Sequence, residues 1–362
     1  MSAPRPRSGI LEISPYVGGK AETGEGSHAA KLSANENALG PSPRAVEAYR
    51  AAGATLHRYP DGGSTELRRA IGRRFNIEPG RIVCGAGSDE IIGLLTRAYA
   101  GGGDEVLYSA HGFLMYRLSA LAAGATPVAA PEKGLRADVD ALLAHVTSRT
   151  RIVYLANPNN PTGSYLTSEE LARLHAGLPS DVLLVIDAAY AEFVTEADYD
   201  SGLGLALEYD NVIMTRTFSK LYGLAALRIG WAAGSAAVID VLNRTRGPFN
   251  VSAPSQAAAV AALEDLEHQE RSRAHNSRWL AWLATEIAAL DLTVHPSAGN
   301  FLLVEFTRSP GRDATAAARY LEKHGVIPRE MGGYGLGHCL RISVGLEEEN
   351  RRVIDVLREF LK

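Results

Sequence analysis

Between Arg81 and Trp231 the chain repeats one pattern, a short β-rich run followed by an amphipathic stretch of helical length. The runs are Arg81–Cys84, Glu105–Tyr108, Arg151–Leu155, Val182–Ile186, Val212–Thr215 and Arg228–Trp231. Helical patterns lie between many of them, at Glu90–Tyr99, Phe113–Ala123, Val139–Val146 and Ser168–Gly177. Strands that alternate with helices of this length form βαβ units, and apolar strands need cover on both faces. The order predicts an α/β fold with a mostly parallel sheet.

The remainder of the chain is organised differently. At 362 residues it exceeds the ~250–300 at which a single core stops growing. Residues 1–30 are rich in Gly, Pro and Ala and read as an arm lying on the body or on a partner subunit. Residues 31–250 carry the alternating pattern. Residues 251–362 read as a smaller α+β domain: one long Ala-rich helical segment from about Ala253 to Leu290, strands at Leu292–His295, Phe301–Glu305 and Leu340–Val344, and a closing helix, Glu347–Phe360.

Charge and cysteine usage exclude several function classes. The formal net charge is -4 with no long run of one sign, which argues against nucleic acid or an anionic membrane as partner. Cys84 and Cys339 have no second Cys or His at ligand spacing, so neither a disulfide framework nor a metal site is expected. No apolar h-region follows the first residues, and the apolar runs are strand-sized, which predicts a cytoplasmic protein.

The chemistry concentrates at strand ends. Thr217-Phe-Ser-Lys220 follows the run Val212–Thr215. Only six of the 37 basic residues are lysines (20, 31, 133, 220, 323 and 362), so a lysine behind an apolar strand stands out. Shielded from water, its amine loses its proton readily and can form an imine with an aldehyde. A snorkelling lysine at a strand end is the plainer alternative. Asp187 closes the apolar run Val182–Ile186 and so points into the crevice where such sheets bind ligands. A carboxylate there can hold a pyridine nitrogen protonated; it can equally cap a helix or bind a metal. Tyr190, three residues on, is placed to donate to a ring oxygen.

Three loops complete the inventory. Asn157-Pro-Asn-Asn-Pro-Thr-Gly163 is a rigid polar turn after Arg151–Leu155, able to present an asparagine to a ligand. Cys84-Gly-Ala-Gly-Ser-Asp-Glu90 runs from strand into helix, where glycines let backbone N–H groups cradle a phosphate. Glu90 stands where a dinucleotide fingerprint needs its third glycine, which disfavours a nicotinamide dehydrogenase. Gly332-Gly-Tyr-Gly-Leu-Gly337 precedes a strand, opens no helix, and reads as a mobile loop.

Asn157–Gly163, Asp187–Tyr190, Ser219-Lys220 and Leu227-Arg-Ile-Gly230 together resemble the fold-type-I aminotransferases of the aspartate aminotransferase superfamily. Leu32-Ser-Ala-Asn-Glu-Asn37, Leu39-Gly-Pro-Ser-Pro43, Pro15-Tyr16 with Gly19-Lys20, Arg58-Tyr-Pro-Asp-Gly62, Gly333-Tyr-Gly-Leu336 and Leu340-Arg-Ile-Ser-Val-Gly345 are similar to the histidinol-phosphate aminotransferases within it. The resemblance implies a large domain with a seven-stranded sheet, a smaller domain, a homodimer, and pyridoxal 5'-phosphate as cofactor. It implies Lys220 as the cofactor-linked lysine, Asp187 at the pyridine nitrogen, Tyr190 and Asn160 at the ring oxygen, and Phe113 on the ring face. Ser88, Asp89, Ser219 and Arg228 would hold the cofactor phosphate, joined by Tyr59 of the neighbouring subunit. Arg341 would bind the carboxylate or phosphate of the substrate, with Arg329 and Tyr16 assisting.

The sequence departs from the family pattern at Ala188, where a glutamate is usual, at Phe113, where tyrosine is usual, and at Ala38 and Gly18, where prolines are usual. The reaction implied is transfer of an amino group from histidinol phosphate to 2-oxoglutarate. An aromatic amino-acid aminotransferase and a phosphothreonine decarboxylase of the same fold are the rivals. A cofactor-binding regulator would need a DNA-binding module, and the chain has no spare segment for one.

Overall fold

The computed structural model describes residues 4, 6–7, 9–14 and 29–362. Most of the expected arm, Tyr16 included, lies outside the described residues. Seven strands form a central sheet: β1 (Ile82–Gly85), β2 (Glu105–Ser109), β3 (Thr126–Ala130), β4 (Thr150–Ala156), β5 (Leu183–Asp187), β6 (Val212–Thr217) and β7 (Gly230–Gly234). Their spatial order is β1-β7-β6-β5-β4-β2-β3. β7 runs antiparallel to both its neighbours, and every other pairing is parallel.

The inner strands are buried on both faces, as parallel strands between helix layers must be. Leu184, Ile186, Met214 and Trp231 pack into one hydrophobic layer, while Leu183, Val185, Ile213 and Ala232 pack into the other. β3 has no counterpart among the predicted strands. It is an edge strand, partly exposed, and it contains Pro127, which only an edge tolerates well. The last strand starts at Gly230 and not at Arg228, because Arg228 adopts a left-handed backbone, φ 48°, that interrupts extended pairing.

Four antiparallel strands form the second sheet: β8 (Thr293–His295), β9 (Phe301–Glu305), β10 (Arg329–Glu330) and β11 (Cys339–Ser343), in the order β8-β9-β11-β10. The helical segment expected to run unbroken from Ala253 to Leu290 is two helices, Ala253–Glu264 and Leu266–Ala288. Asp265 divides them. Its backbone is non-helical, and its carboxylate accepts from the His268 N–H at 3.2 Å and from the Ser42 hydroxyl, capping the second helix.

Packing crosses the expected boundaries. Ala258, Ala259 and Ala262 pack with Leu67 and Ile71 in the large core. Ala30 and Leu32 pack in the small core with Trp279, Leu283 and Ile287, and Ala30–Lys31 pairs in parallel with Val326–Ile327. The segment that follows, Ser33–Asn37, therefore leaves the small core and crosses the C-terminal ends of β4, β5 and β6. No helix among the described residues is long and apolar enough to cross a membrane.

Candidate active site

The C-terminal ends of three adjacent parallel strands place Asn157–Gly163, Asp187–Tyr190 and Thr217–Lys220 around one cleft, roofed by β10, β11 and Ser33–Asn35. The turn after β6 is shaped by Thr217 Oγ1, which accepts from the Ser219 N–H at 3.1 Å, and anchored by fully buried Phe218. It delivers Lys220 into the cleft. Lys220 Nζ donates to the Ala34 carbonyl at 3.0 Å and lies 5.7 Å from the centre of the Tyr190 ring. Burial, then the charge of Arg341, lowers its pKa to about 8. Near neutral pH the lysine therefore holds a usable fraction of free amine.

Asp187 ends β5 and is 4% exposed. Thr215, its register partner on β6, donates to Oδ1 at 3.2 Å, and Tyr116 donates to Oδ2 at 3.0 Å. Burial outweighs these bonds and raises the carboxyl to about 6. Tyr116 cannot swing away easily: its ring stacks on Tyr154 at 4.6 Å, and the Tyr154 hydroxyl donates to the Ile92 carbonyl at 2.9 Å. Tyr190 is also buried, and its hydroxyl accepts from Asn35 Nδ2 at 2.8 Å.

The third corner is built for an anion. The helix Ser88–Tyr99 starts from Gly87, φ 82°, with no side-chain cap, so its first N–H groups face the cleft mouth uncovered by a side chain. Arg228 reaches the same place, with Nη2 3.1 Å from Asp89 Oδ2 and Nη1 3.4 Å from Ser219 Oγ. A Cβ at position 87 would lie 2.6 Å from Arg228 Nη2, so the close approach of the guanidinium requires glycine. Glu90 belongs to the scaffold: its Oε2 accepts from the Ala86 N–H at 2.6 Å and from Asn250 at 2.7 Å.

Arg341 on β11, 6% exposed, donates to Asn160 Oδ1 and, at 2.7 Å, to the Ser33 carbonyl, with its guanidinium over the Phe301 ring. Arg329 is its register partner on β10 and lines the same cleft, as do Phe113 and Tyr334. Of the three asparagines in the rigid loop only Asn160 lines the cleft, beside Pro158. Asn157 is bonded to the Leu166 backbone, and Asn159 to the His111 carbonyl and Thr162. The glycine-rich segment expected to be mobile holds a 3-10 turn, Gly332–Tyr334, with Leu336 buried beside it.

Lys220, Asp187, Tyr190, Asn160, Phe113, Ser88, Asp89, Ser219, Arg228, Arg329 and Arg341 thus share one cleft. Tyr59 does not line it: it is 82% exposed and stacks on Phe249 at 4.6 Å. Sequence reasoning gave no role to Asn35, which bonds Tyr190 from the roof of the cleft, or to Tyr116 and Thr215, which bond Asp187. A buried amine, a carboxylate at a strand end, a phenol and an uncapped helix start beside an arginine are a donor set that fits pyridoxal phosphate.

Comparison with known proteins agrees with this geometry. The family model for class I and II aminotransferases matches residues 27–357. Histidinol-phosphate aminotransferase from Rhodospirillum centenum is 60% identical over 362 residues, covering all of both chains. The protein of the same name from Paramagnetospirillum magneticum is 58% identical over 361 residues, covering 100% of this chain and 99% of the relative. Among solved structures, histidinol-phosphate aminotransferase from Sinorhizobium meliloti in complex with pyridoxal-5'-phosphate superposes with a TM-score of 0.90 at 31% identity, covering 99% and 98% of the two chains.

Proposed function

Because the chain belongs to the class I and II aminotransferase family, we propose that it moves the amino group of histidinol phosphate to 2-oxoglutarate, giving imidazole-acetol phosphate and glutamate in histidine biosynthesis. The observation that carries the substrate assignment is the pairing of Arg341 with Arg329 on adjacent strands over the cleft that holds Lys220. Two guanidiniums suit a dianionic phosphate, and one of them alone suits the carboxylate of the second substrate. The relatives at 60% and 58% identity bear the corresponding name.

Pyridoxal phosphate, when bound, supplies an aldehyde that links to amines and a protonated ring that accepts electron density. In this reading the uncapped start of the helix Ser88–Tyr99, with Ser88, Asp89, Ser219 and Arg228, holds its phosphate. Asp187 keeps the ring nitrogen protonated, Tyr190 and Asn160 donate to the ring oxygen, and Phe113 covers one face. Lys220 would be the amine that links to that aldehyde, and, when free, the group placed to take the proton from the substrate carbon that bears the amine and return it to the cofactor. Its lowered pKa lets it act as that base near neutral pH. Arg341, assisted by Arg329 and Tyr16, binds and orients the substrate anion.

The active assembly is a homodimer in this reading, with Tyr59 of the partner subunit reaching the cofactor phosphate. The exposed stacked pair Tyr59 and Phe249 supports an interface at that surface. The same reading places the enzyme in the cytoplasm. The test is the rate at which the bound cofactor's visible band disappears on mixing with single substrates. Rapid loss with histidinol phosphate and slow loss with phenylalanine is expected. The reverse order assigns the enzyme to aromatic amino acids instead, and carbon dioxide release without amino transfer assigns it to the decarboxylases.

A further inference from the structure

Asn35 stands where the chain crosses between the two cores. It is 1% exposed and left-handed, φ 55°. Ser343 Oγ accepts the Asn35 backbone N–H at 2.9 Å and donates its own hydrogen to Asn35 Oδ1 at 3.0 Å. With the Ser343 hydrogen given to Oδ1, the amide faces one way: Oδ1 toward Ser343 and Nδ2 toward Tyr190. Nδ2 then donates to the Tyr190 hydroxyl oxygen at 2.8 Å. Asn300 Nδ2 holds the Asn35 carbonyl at 3.1 Å, so the backbone is pinned as well. The Tyr190 hydroxyl thus receives a hydrogen from Asn35 and has its own to give. Both residues line the cleft.

We infer that Asn35, backed by Ser343, is a positioning residue that fixes the polarity of the Tyr190 hydroxyl, so that its hydrogen points into the cleft toward the oxygen of the bound ring. The inference rests on the role proposed above for Tyr190. It also ties the two halves of the site together: Ser343 lies two residues from Arg341 on the same strand. The strand that meets the substrate anion therefore also sets the hydrogen that meets the cofactor.

The test uses the full-length enzyme carrying pyridoxal phosphate and follows the visible band of the lysine-linked cofactor against pH. A hydrogen donated to the ring oxygen favours its anionic form, whose charge is greatest once the linking nitrogen has lost its proton. Losing that donor raises the pH at which the band titrates. Asn35→Asp preserves shape and left-handed preference but offers only acceptors, so the Tyr190 hydrogen turns toward it and away from the cleft. A rise of about one pH unit is expected, with the band still formed. Asn35→Gly and Ser343→Ala remove the constraint without adding charge and should give smaller rises of the same sign. Tyr190→Phe should rise at least as far as either uncharged variant. If Tyr190→Phe shifts while all three other variants titrate as the native enzyme, the inference is overturned. If Tyr190→Phe does not shift, the Tyr190 role falls and the inference with it. A native protein that forms no band contradicts the proposed function itself.

Discussion

Tyr116 donates its hydroxyl to Asp187 Oδ2 at 3.0 Å beneath the floor of the cleft, and burial raises the phenol well above its ordinary range. The bond favours the charged carboxylate and opposes the burial that lifts Asp187 to about 6. Tyr116→Phe should therefore raise the Asp187 pKa above 6 in the cofactor-free enzyme. The infrared carboxylate band of aspartate-labelled protein, titrated from about pH 4 to about pH 9, measures this and leaves room above 6 for the expected rise. A midpoint that falls or stays put would contradict the account of this contact.

Lys220 should titrate near 8 in the cofactor-free protein, below the ordinary lysine value of 10.5. Competitive labelling with an amine reagent, read by mass spectrometry across pH, gives its midpoint beside those of the other lysines. The linkage has a definite sign. Between about 8 and 10.5 the unfolded chain holds this proton and the folded chain does not, so stability from this group rises with pH across that window and is lost below it. Lys220→Ala should leave the fold intact and lower transamination by about 10,000-fold.

The two arginines should separate by substrate. Arg341→Gln removes the group proposed to meet both substrates and should raise KM for each by about 100-fold, with additional loss in kcat where orientation fails. Arg329→Gln should raise KM for the phosphorylated substrate by about 10-fold and leave glutamate nearly unchanged. Equal effects on both substrates would remove Arg329 from phosphate recognition.

Subunit mixing tests the shared site. Tyr59→Ala and Lys220→Ala homodimers should each be nearly inactive. Unfolded and refolded together at equal amounts, they should regain about a quarter of native activity, because half the dimers then carry one intact site of two. No recovery, with hybrid dimers demonstrated, would place Tyr59 outside the partner's site.

How far the sequence reached depended on whether a feature was local. Lys220, Asp187 and the loop Asn157–Gly163 follow apolar runs, so the rule that ligands sit at the C-terminal ends of parallel strands pointed to all three, and the family resemblance picked Asn160 within the loop. The anion corner was legible from Cys84–Glu90 because glycines before a helix have one common physical use. The groups that bond the cleft's key side chains from distant segments were not. Asn35 meets Ser343 across 308 residues, and Tyr116 meets Asp187 across 71, so no local pattern joins them. Tyr116 offered one signal, its position three residues beyond Phe113 on the same helical face. The edge strand Thr126–Ala130 was hidden because a partly exposed edge needs no continuous apolar run. The division at Asp265 was hidden by the alanines on both sides, which favour helix whatever the tertiary contacts of the aspartate.

The central claim is that Lys220 carries the cofactor. The most direct measurement is borohydride reduction of the pyridoxal-phosphate-loaded enzyme, followed by peptide mapping by mass spectrometry. The account predicts a single pyridoxyl-modified peptide containing Lys220, lost in Lys220→Ala. Modification at Lys31, Lys133 or another lysine, with Lys220 unmodified, would contradict it.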